Sequence, residues 1–164
     1  MSKLRQRGST ARQTEVLERL FTCLNEHDHV GMAACYHPDA VFRDIAFALR
    51  GRKRIHAMWH MVSEADLRAS YTIRRVDGRT ATVDLVDDYT FRPTGRRVRN
   101  VIRSDFHFVD GLIIEHLDSC SPLRWGVQAL GPAKGVASWL LPAARRNRAM
   151  ATLDGFIASH PEYA

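Results

Sequence analysis

The residues able to move protons in this 164-residue chain sit at strand ends and on alternating strand positions. Asp44 closes the short apolar run Ala40-Val41-Phe42-Arg43. A carboxylate at the mouth of a pocket can carry a proton between carbons of an enolisable ketone. It needs only a moderately raised pKa and reach to the carbon acid. In Arg103-Ser104-Asp105-Phe106-His107-Phe108, a period of two puts Arg103, Asp105 and His107 on one face and the phenylalanines on the other. That polar row faces either solvent or a polar pocket, and its two basic neighbours could keep Asp105 ionised. The same alternation groups Leu112, Ile114, His116 and Asp118, and separately Val83, Leu85, Asp87, Tyr89 and Phe91. Aspartates and histidines so spaced suit general acid–base catalysis.

Other chemistries lack their residues. His27, His29, His37, His56 and His60 could supply metal ligands, and His56 and His60 share a helix face. No H-E-x-x-H accompanies them, so no required metal is expected. There is no glycine-rich phosphate loop, dinucleotide fingerprint or G-x-S-x-G elbow, so no cofactor is expected. The cysteines Cys23, Cys35 and Cys120 are odd in number and form no C-x-x-C pair. That disfavours a disulfide framework or zinc site and fits reduced thiols in a cytoplasm. The net charge of +6 comes from arginines spread along the chain. No aromatic-interleaved basic motif goes with them, and nucleic acid is not an expected partner. The basic first residues lack the apolar core of a secretory leader, and no apolar run is long enough to span a membrane.

The elements that must position these groups follow from periodicity. Residues 1–12 read as a flexible basic arm. A helix starts near a Thr14 cap, with Val16, Leu17, Leu20, Phe21 and Leu24 on one face. A short helix is expected over Val30 to Tyr36, a strand over Ala40 to Asp44 and a helix over Arg52 to Ser63. Ile55, Met58, Trp59 and Val62 form the apolar side of that last helix. Asp77-Gly78, Pro93-Thr94-Gly95 and Asp110-Gly111 are turn signals that divide the middle into four strands. Successive hairpins make an antiparallel meander. The tail from Pro122 holds Trp125, a loop around Gly131-Pro132 and a helix from about Arg145 to Ser159.

Several segments carry a resemblance. They are Leu24-Asn25-Glu26-His27-Asp28, Tyr36 to Asp44, Gly51 with Ile55 and Trp59, and Phe106 to Ile113. In order and spacing this chain resembles the nuclear transport factor 2-like superfamily, which includes SnoaL-like proteins and ketosteroid isomerase. The resemblance covers about residues 14–120. It implies one α+β, cone-shaped domain over 13–121, with a curved antiparallel sheet wrapped around N-terminal helices. Residues 122–164 would be a helical extension packing on the same domain or on a dimer partner.

It further implies a homodimer and a hydrophobic small-molecule ligand, with Phe42, Trp59, Asp87, Tyr89 and His116 lining the pocket. By the same resemblance Asp44 matches the general base of the isomerases, and Asp105 matches their oxyanion-donating acid. Asp118 joins them with His116, since SnoaL-like cyclases use aspartate and histidine from the late strands, and His107 is a candidate partner beside Asp105. The oxyanion-donating tyrosine of the isomerases corresponds to Leu20 here, so the steroid reaction lacks a part. Limonene-epoxide hydrolases resemble the chain around Pro93 to Arg96 and Phe106 to Phe108. They need an arginine two residues before the first aspartate, where this chain has Leu85 before Asp87. A noncatalytic module for an apolar molecule or a protein is the alternative reading.

Overall fold

The computed structural model describes residues 3–163. Helix α1 spans Lys3–Glu26, and Leu17, Leu20, Phe21 and Leu24 line its buried face. It starts well before Thr14, so most of the segment read as an arm is helical; Met1 and Ser2 lie outside the described residues. Thr14 is no cap: its hydroxyl donates back to the Thr10 carbonyl one turn earlier. The early turns are held by tertiary contact, since Ser9 Oγ donates to the Gly78 carbonyl in the Asp77-Gly78 turn.

Helix α2 (His29–Ala33) is capped by Asp28, whose carboxylate accepts from the Gly31 amide. Strand β1 (Tyr36–Arg43) and the three-residue β2 (Ala48–Arg50), which periodicity is too short to reveal, form a hairpin. Helix α3 (Arg52–Ser63) buries Ile55, Ala57, Met58 and Trp59. Strands β3 (Arg68–Val76), β4 (Thr80–Phe91), β5 (Arg96–Val109) and β6 (Leu112–Ser119) make the expected meander. Beyond it the sheet is mixed, because β1 pairs with β6 in parallel, giving the order β2-β1-β6-β5-β4-β3.

The inner face of the sheet carries Val83, Leu85, Ile102, Phe106, Phe108 and Ile113, and helices α1 and α3 cover it. This is the α+β architecture that the resemblance implies. One detail of β6 departs from simple alternation. His107 pairs with Glu115 while Phe108 pairs with Ile113, so Ile114 is an extra residue in a bulge. The bulge turns Ile113, rather than Leu112 and Ile114, into the core alongside His116.

The tail forms α4 (Pro122–Leu130), α5 (Pro132–Leu140), α6 (Pro142–Ala158) and a closing 3-10 turn at Pro161–Tyr163. Each α-helix opens on a proline, whose fixed φ suits the first helical position and whose missing N–H costs nothing there. Gly131-Pro132 is thus a helix junction rather than a loop, with Gly131 at φ +85°. Helices α4 and α5 cross at Gly126 and Gly135, where a Cβ on Gly135 would lie 2.4 Å from the Val127 nitrogen. Helix α6 packs back on the same domain through buried Leu153 and an Arg54–Asp154 ion pair of 2.7 Å.

Candidate active site

Asp44 stands where β1 ends and the chain turns into β2. Its Oδ1 accepts from the Ala46 and Phe47 amides at 2.7 and 2.5 Å, and its own amide donates to the Phe47 carbonyl. The carboxylate therefore shapes the turn. Burial pushes its pKa up to about 6, despite the two amide bonds and His116, which pull it down; the charge of Asp118 adds to the rise.

Asp118 is the hub. His116, 1% exposed, places Nε2 2.9 Å from Asp118 Oδ1 and Nδ1 2.8 Å from the Tyr36 hydroxyl. Trp59 Nε1 donates to that hydroxyl at 3.2 Å, and Ser104 Oγ donates to Asp118 Oδ1 at 2.5 Å. One consistent assignment satisfies every group. Trp59 donates to Tyr36, Tyr36 donates to His116 Nδ1, and His116 Nε2–H donates to Asp118. Phe42 and Phe106 pack on the imidazole, with ring centres 4.9 and 4.2 Å away. The aromatic box excludes water and fixes the ring, so its hydrogen bonds hold the carboxylate in place.

Asp87 lies on the same inner face, on β4, where its Oδ1 is buried without a hydrogen-bond partner. Burial, reinforced by the charges of Asp118 and Asp88, pushes its pKa up to about 8. Its neighbour Tyr89 accepts a 2.8 Å bond from Trp125 Nε1, which leaves the phenol proton free to donate elsewhere. Burial raises the Tyr89 phenol to about 12, and the charges of Asp87 and Asp44 act in the same direction. The extension also reaches the Asp44 turn, since Arg145 Nε donates to the Ile45 carbonyl at 2.9 Å.

The fold thus brings Asp44, Asp87, Tyr89, His116 and Asp118 to one side, with Phe42 and Trp59 beside them. It does not bring Asp105 or His107 there. Both point to the outer face with Arg103, because Ser104, Phe106 and Phe108 take the inward positions of β5. Asp105 accepts from Thr82 Oγ1 at 2.7 Å, and His107 faces Glu115 at 3.6 Å. An open groove of about 580 Å³ on the strands β3–β5 includes Thr72, Arg74, Asp84 and Arg103, and none of the inner acids lines it.

Tyr36, Ser104, Trp125 and Arg145 are contributors that sequence reasoning did not single out for these roles. Ser104 follows from the alternation that put Asp105 outside. Trp125 and Arg145 lie beyond the resemblance and had no local signal. Among the described residues no helix is long and apolar enough to cross a membrane.

The sequence model of the SnoaL-like domain family matches residues 17–116. No curated protein matches the chain. Among solved structures, a candidate polyketide cyclase from Silicibacter sp. TM1040 is similar over 71% of this chain and 93% of its own, with 20% identity and a TM-score of 0.65. An LEH-like epoxide hydrolase from M. tuberculosis is similar over 81% and 98%, with 20% identity and a TM-score of 0.60. SalBIII, an epoxide hydrolase/cyclase-like enzyme of pyran ring formation in salinomycin, is similar over 68% and 92%, with 18% identity and a TM-score of 0.62. At such identities the likeness speaks for the fold alone.

Proposed function

The chain belongs to the SnoaL-like domain family, and from that premise we propose that it is a cofactor-independent enzyme doing general acid–base chemistry on a hydrophobic ketone or cyclic substrate. One observation carries the reading. Two carboxyl groups on one face have pKa values pushed apart, Asp44 to about 6 and Asp87 to about 8. At neutral pH the first is mostly a base and the second mostly an acid, which is the division of labour acid–base catalysis needs.

Asp44 takes a proton from carbon, and the electron pair moves onto the carbonyl oxygen. The neutral Asp87 carboxyl donates a hydrogen bond to that oxygen as charge develops, with the Tyr89 phenol as a second donor. Asp44 then returns the proton to another carbon. Asp118 is a positioning residue: its charge raises both neighbours, and His116 and Ser104 hold it. Asp87 and Tyr89 stand in for two expected donors, Asp105 on the wrong face and a tyrosine where Leu20 is buried.

The test is turnover and α-proton exchange on a panel of apolar ketones, cyclic precursors and epoxides. Wild type is expected to exchange, and Asp44→Asn and Asp87→Asn to lose the activity. Rates unchanged in both variants overturn the assignment. Ligand-induced stabilisation without turnover, surviving both substitutions, is the result a noncatalytic binding module gives. A homodimer through the outer sheet face, where Val101 is 52% exposed, completes the reading. Sedimentation at the mass of one 18.6 kDa chain would contradict it.

A further inference from the structure

A second cluster of titratable groups lies outside the acid site. It draws on α2, α3 and the chain end. The His29 ring stacks on His60, with centres 3.8 Å apart and planes 13° apart. His29 Nδ1 is 2.8 Å from His56 Nε2. His60 meets His160 edge to face at 5.0 Å, and His160 stacks on Phe156 at 3.9 Å. The neutral ring is the form that binds a metal.

The free nitrogens are set by second hydrogen bonds. His160 Nδ1 is 2.8 Å from the Phe156 carbonyl oxygen, a contact that requires a proton on Nδ1 and leaves the Nε2 lone pair open. His60 Nδ1 is 3.0 Å from the Tyr163 hydroxyl; when it donates there, its Nε2 is open too. One possible ligand atom from each of His60, His160 and Glu162 lies within 4.8 Å of the others.

We propose that His60, His160 and Glu162 bind a zinc ion, with water as the fourth ligand, and that the ion clips the end of the chain to α3. Two imidazoles and one carboxylate suit zinc, whereas calcium and magnesium demand more oxygen. Tetrahedral bonds of about 2.0–2.2 Å place neighbouring ligand atoms roughly 3.4 Å apart. The three groups must therefore draw together by up to about 1.4 Å, and the Glu162 side chain is exposed. The ion takes no part in the acid–base chemistry. It braces the helix whose Trp59 donates to Tyr36. His160 and Glu162 lie in the tail, where the histidine spacing of α3 alone gives no sign of them.

The test titrates zinc chloride alone into the metal-stripped full chain near neutral pH, by calorimetry with a parallel thermal melt. About one zinc per chain is expected, with a rise in Tm. His160→Ala and Glu162→Gln should each weaken binding roughly tenfold or more. His37→Ala, a histidine outside the cluster, should leave it unchanged, and magnesium chloride should give no binding. Glu162→Gln alters an exposed side chain, so its fold is checked by circular dichroism and its result stands even if another variant unfolds. No zinc uptake, or uptake equally strong in both ligand variants, overturns the proposal.

Discussion

The two faces of the sheet carry the same residue types and use them oppositely. On the outer face Arg74 meets Asp84 at 2.5 Å, Arg99 meets Asp88 at 2.7 Å, and Asp105 is bonded to a threonine. These carboxylates are solvated or paired, and such surface pairs contribute little. On the inner face, among the described residues, no lysine or arginine forms an ion pair with Asp44, Asp87 or Asp118, and Asp118 pairs only with His116. Burial with no ion-paired cation raises Asp44 and Asp87 by different amounts, and their pKa values separate. An aspartate becomes a candidate catalyst here through its side of the pleat, since one residue's shift along a strand exchanges the two environments.

Breaking the inner face should cost most. Asp87→Asn and Asp44→Asn are each expected to lower turnover by about 10² to 10⁴ in steady-state kinetics, the usual range for a general acid or base. Tyr36→Phe removes the link between Trp59 and His116 and leaves buried donors or acceptors unpaired. Chemical denaturation should show a loss of about 1–3 kcal/mol.

Next comes a pH effect. The Asp87 pKa is raised in the folded state, so the folded chain holds a proton that the unfolded chain releases. Its contribution is intact below about pH 4 and is lost as pH rises towards about 8. Asp87→Asn should therefore raise Tm by roughly 10 °C or more at pH 8 and change it little at pH 4, read by thermal melts. Smallest of all, Asp105→Asn should shift stability by no more than about 0.5 kcal/mol and leave turnover within about twofold. A large effect there would erase the distinction between the faces.

Much of the architecture was legible in the sequence. The boundaries of α3, β4 and β6 follow from helical spacing and from the Asp-Gly and Gly turn signals. Asp44, Asp87, Tyr89, His116 and Asp118 were named, and the fold gathers them on one side. For Asp105 the alternation with Phe106 leaves solvent and a polar pocket both open, and the fold puts it on the outer face. The bulge at Ile114 was not legible, because an extra residue leaves no mark on a pattern of two. The parallel β1–β6 pair, and the reach of Trp125 and Arg145 into the site, are long-range contacts that local periodicity does not encode. The prolines at 122, 132 and 142 each mark the first turn of a tail helix, a local signal that the sequence does carry.

The central claim is that the inner acids share their protons unequally. Carboxyl carbon NMR, titrated from pH 3 to 10 with Asp44→Asn and Asp87→Asn for assignment, tests it directly. Two inner carboxyl transitions are expected, near 6 and near 8. Asp118→Asn should lower both, since the charge of Asp118 raises each. Titration of both groups near 4, as in solvated aspartates, would contradict it.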